Sequence, residues 1–312
     1  SDVGVRLTLL DTCYLRGGLD SPLAGAQLRF GDGDAQGWAS RFGALRATPT
    51  VRIGAAIHSV RAVPFDELSV VAKVAADQGL PLHMHVSEQT AENEQCLATY
   101  GRTPVRVLAD AGALGTASVA IHATHVSEED SSLLATTGSS VCLGPTTERD
   151  LADGIGPAGA FAAGGIPLSL GSDSHAVIDI FEEARAAELN DRLATHRRGQ
   201  LPAPLLLEAA TSNGHRALGW ADAGELAPGM RADLVAVDLE SPRTAGCGPN
   251  AEAVVFAAGA ADVTDVVVDD RYAGIGVGEI VGGAVDHAFA VAFDRYLVMP
   301  FEAEPDTIVR RQ

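Results

Sequence analysis

The 312-residue sequence contains a single lysine, Lys73, so any mechanism that requires a lysine has one candidate and nearly all positive charge is arginine. Positive charge is itself scarce, with 22 Lys plus Arg against 41 Asp plus Glu and a formal net charge of −19. That balance excludes a nucleic-acid or anionic-membrane partner held by bulk charge. The four cysteines, Cys13, Cys96, Cys142 and Cys247, are far apart and form no CxxC pair. Neither a disulfide framework nor a zinc knuckle is indicated, and a reduced, cytoplasmic setting is the expectation. There is no run of 18 apolar residues, no signal-peptide pattern at the start, no Gly-rich phosphate loop and no internal repeat. An initiator methionine is also missing, and the first strand starts almost at once, which reads as a chain beginning in mid-domain.

What is present is enough for a sizeable core: 46% hydrophobic and 20% charged residues. Short apolar runs at 5–13, 51–58, 80–86, 118–125, 140–144 and 166–171 each end in polar or reactive residues. Between them the periodicity predicts helices near 66–78, 90–112, 127–136, 157–164, 176–194 and 203–218, and Gly17–Gly37 reads as a long loop over the strand ends. Strands that are apolar throughout and alternate with helices imply a parallel sheet covered by helices, an α/β class. Reactive residues crowd the C-terminal ends of four different strands, which favours a (β/α)8 TIM-type barrel over a doubly wound sheet. Six units are two short of closure, so residues 1–219 read as an incomplete barrel, about strands 3 to 8. Residues 220–312 read as a β-rich appendage, with a tail beyond about 273 that has no assignment.

The densest local cluster is Pro81-Leu-His-Met-His-Val-Ser-Glu88. On a strand of period two, His83 and His85 point the same way and Glu88 lies just past the end. Such a histidine suits a divalent metal, and such a glutamate can take and return protons without being a ligand; hydrogen-bonded histidines near a surface are the plainer alternative. Further strands deliver His122 and His125, and Asp173 in Gly171-Ser-Asp-Ser-His175. A buried aspartate directly after an apolar strand is costly unless paired or metal-bound, so Asp173 is a ligand, a catalytic acid/base or a helix N-cap. His58-Ser-Val-Arg61 adds a guanidinium either on the surface or aimed into the site to hold a carboxylate. Cys13 and Cys142 read as core fillers, His196 and His215 as surface or capping residues. His125 and His175 are equally readable as partners that orient ligands or as ordinary packing, Glu148 as a residue that reaches the substrate through its loop, and His83 as a buried neighbour.

The set HSVRA, HxHxxEQ, HATH, PTTE followed by LxDG, GSDSH and the trailing PGxxADLVxxD resembles the amidohydrolase superfamily. Within it, HSVRA, SEQ, HATH and PTTE are most similar to the branch that hydrolyses N-formimino-L-glutamate in histidine degradation. The resemblance covers about residues 1–240. It implies a zinc-dependent hydrolase with one zinc per complete site and His85 and Asp173 as metal ligands. It also implies Glu88, His122 and Asp173 as catalytic groups, and His58 and Arg61 on a small anionic substrate. Lys73 inside an apparent helix argues against a lysine-bridged metal pair. The family's further HxH ligands on its first barrel strand have no counterpart here, and truncation is the favoured explanation. A sister deaminase acting on a purine or other cyclic amidine, and an inactive, metal-poor barrel fragment, are the alternatives. A homodimer is expected.

Overall fold

The computed structural model describes residues 5–173 and 177–268, together with the backbone of three short strands at 271–272, 288–292 and 297–301. Six parallel strands form one sheet in simple sequence order: β1 (Leu7–Cys13), β2 (Val51–Ile57), β3 (Leu82–Val86), β4 (Ser118–His122), β5 (Ser140–Leu143) and β6 (Leu168–Leu170). Neighbours in sequence are neighbours in space, as short βα connections favour. The register runs, for example, from Leu7 beside Val51 to Cys13 beside Ile57, and from Leu82 beside Ser118 to Val86 beside His122. Among the described residues β1 and β6 each keep one unpaired edge, and Leu7 and Leu9 on β1 remain 47% and 41% exposed. The arrangement is a partial (β/α) barrel.

The crossovers are α1 (Ala35–Phe42), α2 (Phe65–Gln78), α3 (Thr90–Tyr100), α4 (Pro104–Asp110), α5 (Glu128–Thr137), α6 (Pro145–Asp150) and α7 (Ala158–Ala163). After β6 come α8 (Ile180–Thr195), α9 (Ala203–Ala210) and α10 (Ser212–Ala217). Three expectations are corrected here. The helix predicted over 90–112 is two helices, because Gly101 adopts a left-handed C-cap and Pro104 starts α4 beneath the Thr103 cap. The helix predicted over 203–218 breaks at Thr211, whose φ of −133° and ψ of −96° are not helical. The supposed long loop 17–37 contains a 3-10 turn at Gly25–Phe30 and the start of α1, which Asp34 caps by accepting from the Gly37 N–H.

The core lies between the sheet and its helices, with Trp38, Ile57, Leu68, Met84, Leu108, Leu134, Phe161, Leu201 and Leu206 all essentially inaccessible. A second sheet is built from β7 (Leu234–Asp238), β8 (Val263–Val268), β9 (Arg271–Tyr272), β10 (Ala288–Ala292) and β11 (Leu297–Phe301), in the order β11-β10-β7-β8-β9. Helix α11 (Ala251–Phe256) packs against α8 and α9 and so ties the appendage to the barrel helices. Residues 218–220 pack under β1 and β2: the Thr8 hydroxyl donates to the Leu218 carbonyl, and the Trp220 indole N–H donates to Thr8. Lys73 lies on the exposed face of α2, paired with Asp77 at 2.8 Å, far from any bridging role. Among the described residues no helix is long and apolar enough to cross a membrane.

Candidate active site

The C-terminal ends of the first four strands set aromatic rings side by side. Tyr14 follows β1, His58 follows β2, His85 sits on β3 and His122 ends β4. Tyr14 meets His58 edge-on at 4.4 Å between ring centres, His58 lies 5.2 Å from His85, and His85 stacks on His122 at 5.6 Å. His58, His85, His122 and Asp173 line a cavity of about 230 Å³ that also touches Cys142, Gly144 and Gly171. Backbone strain is concentrated here. Ser87, His122, Ala123 and Asp173 all adopt positive φ, between 42° and 68°, without being glycine. Each such residue costs on the order of 1 kcal/mol or more and persists where surrounding structure holds it, which marks functional strand ends.

His122 is the hub. Its ring is completely buried, with Nδ1 3.3 Å from Glu148 Oε1 and Nε2 3.8 Å from both Glu88 Oε1 and Asp173 Oδ2. Nε2 has no hydrogen-bond partner, so it faces the space between Glu88 and Asp173. Burial opposes a charge on this imidazole. The Glu148 hydrogen bond and the fields of Glu88, Glu148 and Asp173 outweigh burial, and the pKa is raised. Glu148 is itself oriented by the Gly144 N–H, which donates to Oε1 at 2.9 Å. It therefore reaches the imidazole from behind instead of reaching the substrate space through a loop.

Burial lowers the pKa of three other histidines, His58, His83 and His85. Burial, then the neighbouring His85 and Arg61, push His58 down to about 3. His85 is lowered chiefly by burial; its Nδ1 donates to the His58 carbonyl at 2.7 Å, which leaves Nε2 as the unprotonated nitrogen. His83 is also lowered by burial and is tied to the Ala217 carbonyl at 2.8 Å, so it braces the strand. His125 donates from Nε2 to the Asp153 carbonyl and fastens the loop after α6. His175 lies outside the described residues.

Arg61, in the turn between β2 and α2, points into the site, but onto a protein carboxylate: Nη2 donates to Glu88 Oε2 at 2.9 Å and Nε lies 3.7 Å from Glu92 Oε2. Asp173 is not a helix cap, because α8 takes its cap from Asp179, whose carboxylate accepts from the Phe181 and Glu182 N–H groups. Its side chain is 37% exposed and turned toward His122. The sequence reading missed Tyr14 and Glu92. Tyr14 follows β1 directly and precedes an apparent loop, and Glu92 resembles any acidic residue in a first helical turn.

A likeness in sequence runs through this arrangement: the amidohydrolase family model matches residues 39–274. The chain belongs to the amidohydrolase family. It is 34% identical over 285 residues to the formimidoylglutamate deiminase of Pseudomonas aeruginosa, covering 87% of this chain and 62% of that protein. It is 35% identical over 217 residues to a 5-methylthioadenosine/S-adenosylhomocysteine deaminase of Pelotomaculum thermopropionicum, covering 69% and 50% respectively. An adenosine deaminase from Xanthomonas campestris, with bound zinc, superposes with a TM-score of 0.77 at 28% identity, covering 87% of this chain and 61% of that one. The chain thus spans between half and about three fifths of the length of these relatives.

Zinc is consistent with the donors here only in part. His85 Nε2 is free and oriented, and Asp173 stands beside the cavity. Among the described residues no group of three His, Cys, Asp or Glu is placed to hold a metal ion. A catalytic zinc takes three protein ligands, so this set does not complete one.

Proposed function

We propose that the protein hydrolyses a C=N bond, converting N-formimino-L-glutamate and water to N-formyl-L-glutamate and ammonia. The observation that carries this reading is the imidazole of His122 flanked by Glu88 and Asp173, each at 3.8 Å, with Arg61 alongside. Two carboxylates on either side of an unpartnered imidazole nitrogen form a proton-transfer array. Water adds to the carbon of the protonated formimino group while Glu88 accepts one of its protons. When protonated, His122, whose pKa the Glu148 hydrogen bond and the neighbouring carboxylates raise, donates a hydrogen bond to the charge that develops there. Glu88 then returns that proton to the terminal nitrogen, the C–N bond breaks and ammonia leaves, while Asp173 takes the remaining hydroxyl proton and the formyl C=O forms. His85 and Asp173 would contribute two ligands to a zinc ion, and no step above passes through it.

The substrate assignment draws on the Pseudomonas relative and on Arg61, which pairs with Glu88 and Glu92 and on this reading shares its guanidinium with a glutamate carboxylate of the substrate. A net charge of −19 gives an anionic substrate no global attraction, so a local arginine must supply it. Arg61→Met should raise KM for formiminoglutamate at least about tenfold, the scale of a lost charge-assisted hydrogen bond. An unchanged KM overturns that role. A purine deaminase is the second reading, favoured by the likeness to the methylthioadenosine enzyme, and ammonia release from 5-methylthioadenosine distinguishes it.

A further inference from the structure

Glu92 is the least expected group near the site. It lies in the first turn of α3, where a glutamate ordinarily reaches back over an exposed helix end to accept a backbone N–H. Here its side chain is completely buried. Oε2 accepts from the Glu88 N–H at 3.1 Å and lies 3.7 Å from Arg61 Nε, while Oε1 has no partner. Arg61 Nε is likewise buried without a hydrogen bond, since the same guanidinium gives Nη2 to Glu88. One arginine is therefore shared by two carboxylates, one of them accepting the main-chain N–H of the other. This main chain is under strain: Ser87, the residue before Glu88, has a φ of 51°.

We propose that Glu92 is a positioning residue for Glu88, anchoring its main chain at the strained β3–α3 turn and setting, by its own charge, how much of Arg61 is given to the Glu88 carboxylate. The inference rests on the reading of Glu88 as the proton-transfer group. Burial pushes Glu92 up to about 7, against the pull of Arg61 and the Glu88 N–H. The groups that face it are Arg61 from the β2–α2 turn, Glu88, and Cys96 on α3, whose thiol burial pushes up to about 12 so that it carries no charge near neutrality. With Glu92 neutral, Arg61 belongs to Glu88; with Glu92 ionised, the guanidinium is divided between the two carboxylates. Proton transfer is then tuned by a residue that touches neither substrate nor His122.

The test reads the Glu88 backbone amide by ¹H–¹⁵N NMR from pH 5 to 9, which needs no substrate. In the native chain this amide should shift with a midpoint near 7, following the ionisation of its acceptor. In Glu92→Gln, which keeps an acceptor oxygen but no charge, the inflection should vanish while the other amides stay in place. A flat native profile, or an inflection that survives the substitution, overturns the proposal. Kinetics give a second reading: Glu92→Ala should lower kcat about 100-fold with KM nearly unchanged, as for a misplaced catalytic group. Glu92→Gln should recover most of that rate and shift the acidic limb of the pH profile. Equal losses with an unmoved limb reduce Glu92 to a structural part and refute the positioning role. Absence of ammonia release in the native chain counts against the proposed function alone, since the amide titration still decides Glu92.

Discussion

His122 shows how position outweighs residue type. A fully buried imidazole would ordinarily stay neutral, yet three carboxylates within 4 Å raise its pKa against burial. Among the described residues Glu148 alone hydrogen-bonds the ring, so Glu148→Gln should lower the His122 midpoint by about one pH unit in metal-free protein, read from the imidazole protons by NMR. The sign follows: with less imidazolium at pH 7, stabilisation of developing negative charge weakens and kcat falls. An unmoved midpoint would show that Glu88 and Asp173 alone hold the charge.

At the scale of elements, the strands deliver chemistry and the helix starts secure it. The β3–α3 unit places His85, Glu88 and Glu92 within eight residues. Because Glu92 is raised from 4.5 to about 7, the folded protein binds a proton that the unfolded chain releases between those values. The unfolded state holds fewer protons there, so stability falls as pH rises from about 4.5 to 7. Relative to native, Glu92→Gln should gain up to about 3 kcal/mol between pH 4.5 and pH 8 in denaturant unfolding, and a constant difference would refute the raised value. Much of this level is legible in sequence. Apolar runs bounded by polar residues mark all six barrel strands, and HxHxxE marks one site-bearing strand end, because both are short-range patterns. The pairing of Arg61 with Glu88 spans 27 residues and arises only when β2 and β3 lie side by side. Helix α1 escapes because its alanine- and glycine-containing segment reads as a loop until the Asp34 cap is seen.

On the scale of the whole molecule, six strands in order form a partial barrel whose site gathers at one rim, while the second sheet is tied on through α11 and the residues around Trp220. Fold class was readable because strand–helix alternation is a global pattern. Substrate identity was not, because the chain is similar at nearly the same identity to a formimidoylglutamate deiminase and to a 5-methylthioadenosine/S-adenosylhomocysteine deaminase. If His85 and Asp173 supply two ligands and no third, the chain should retain well under one zinc per chain after gel filtration, and His85→Ala should remove what is held. Full occupancy in both proteins would place the zinc elsewhere. The most direct measurement is ammonia release in excess zinc from N-formimino-L-glutamate and from 5-methylthioadenosine, compared as kcat/KM. A preference of at least about 100-fold for formiminoglutamate is the expected result, the discrimination available to a site that pairs a charged substrate group. Preference for the nucleoside, or no ammonia from either compound, contradicts the assignment.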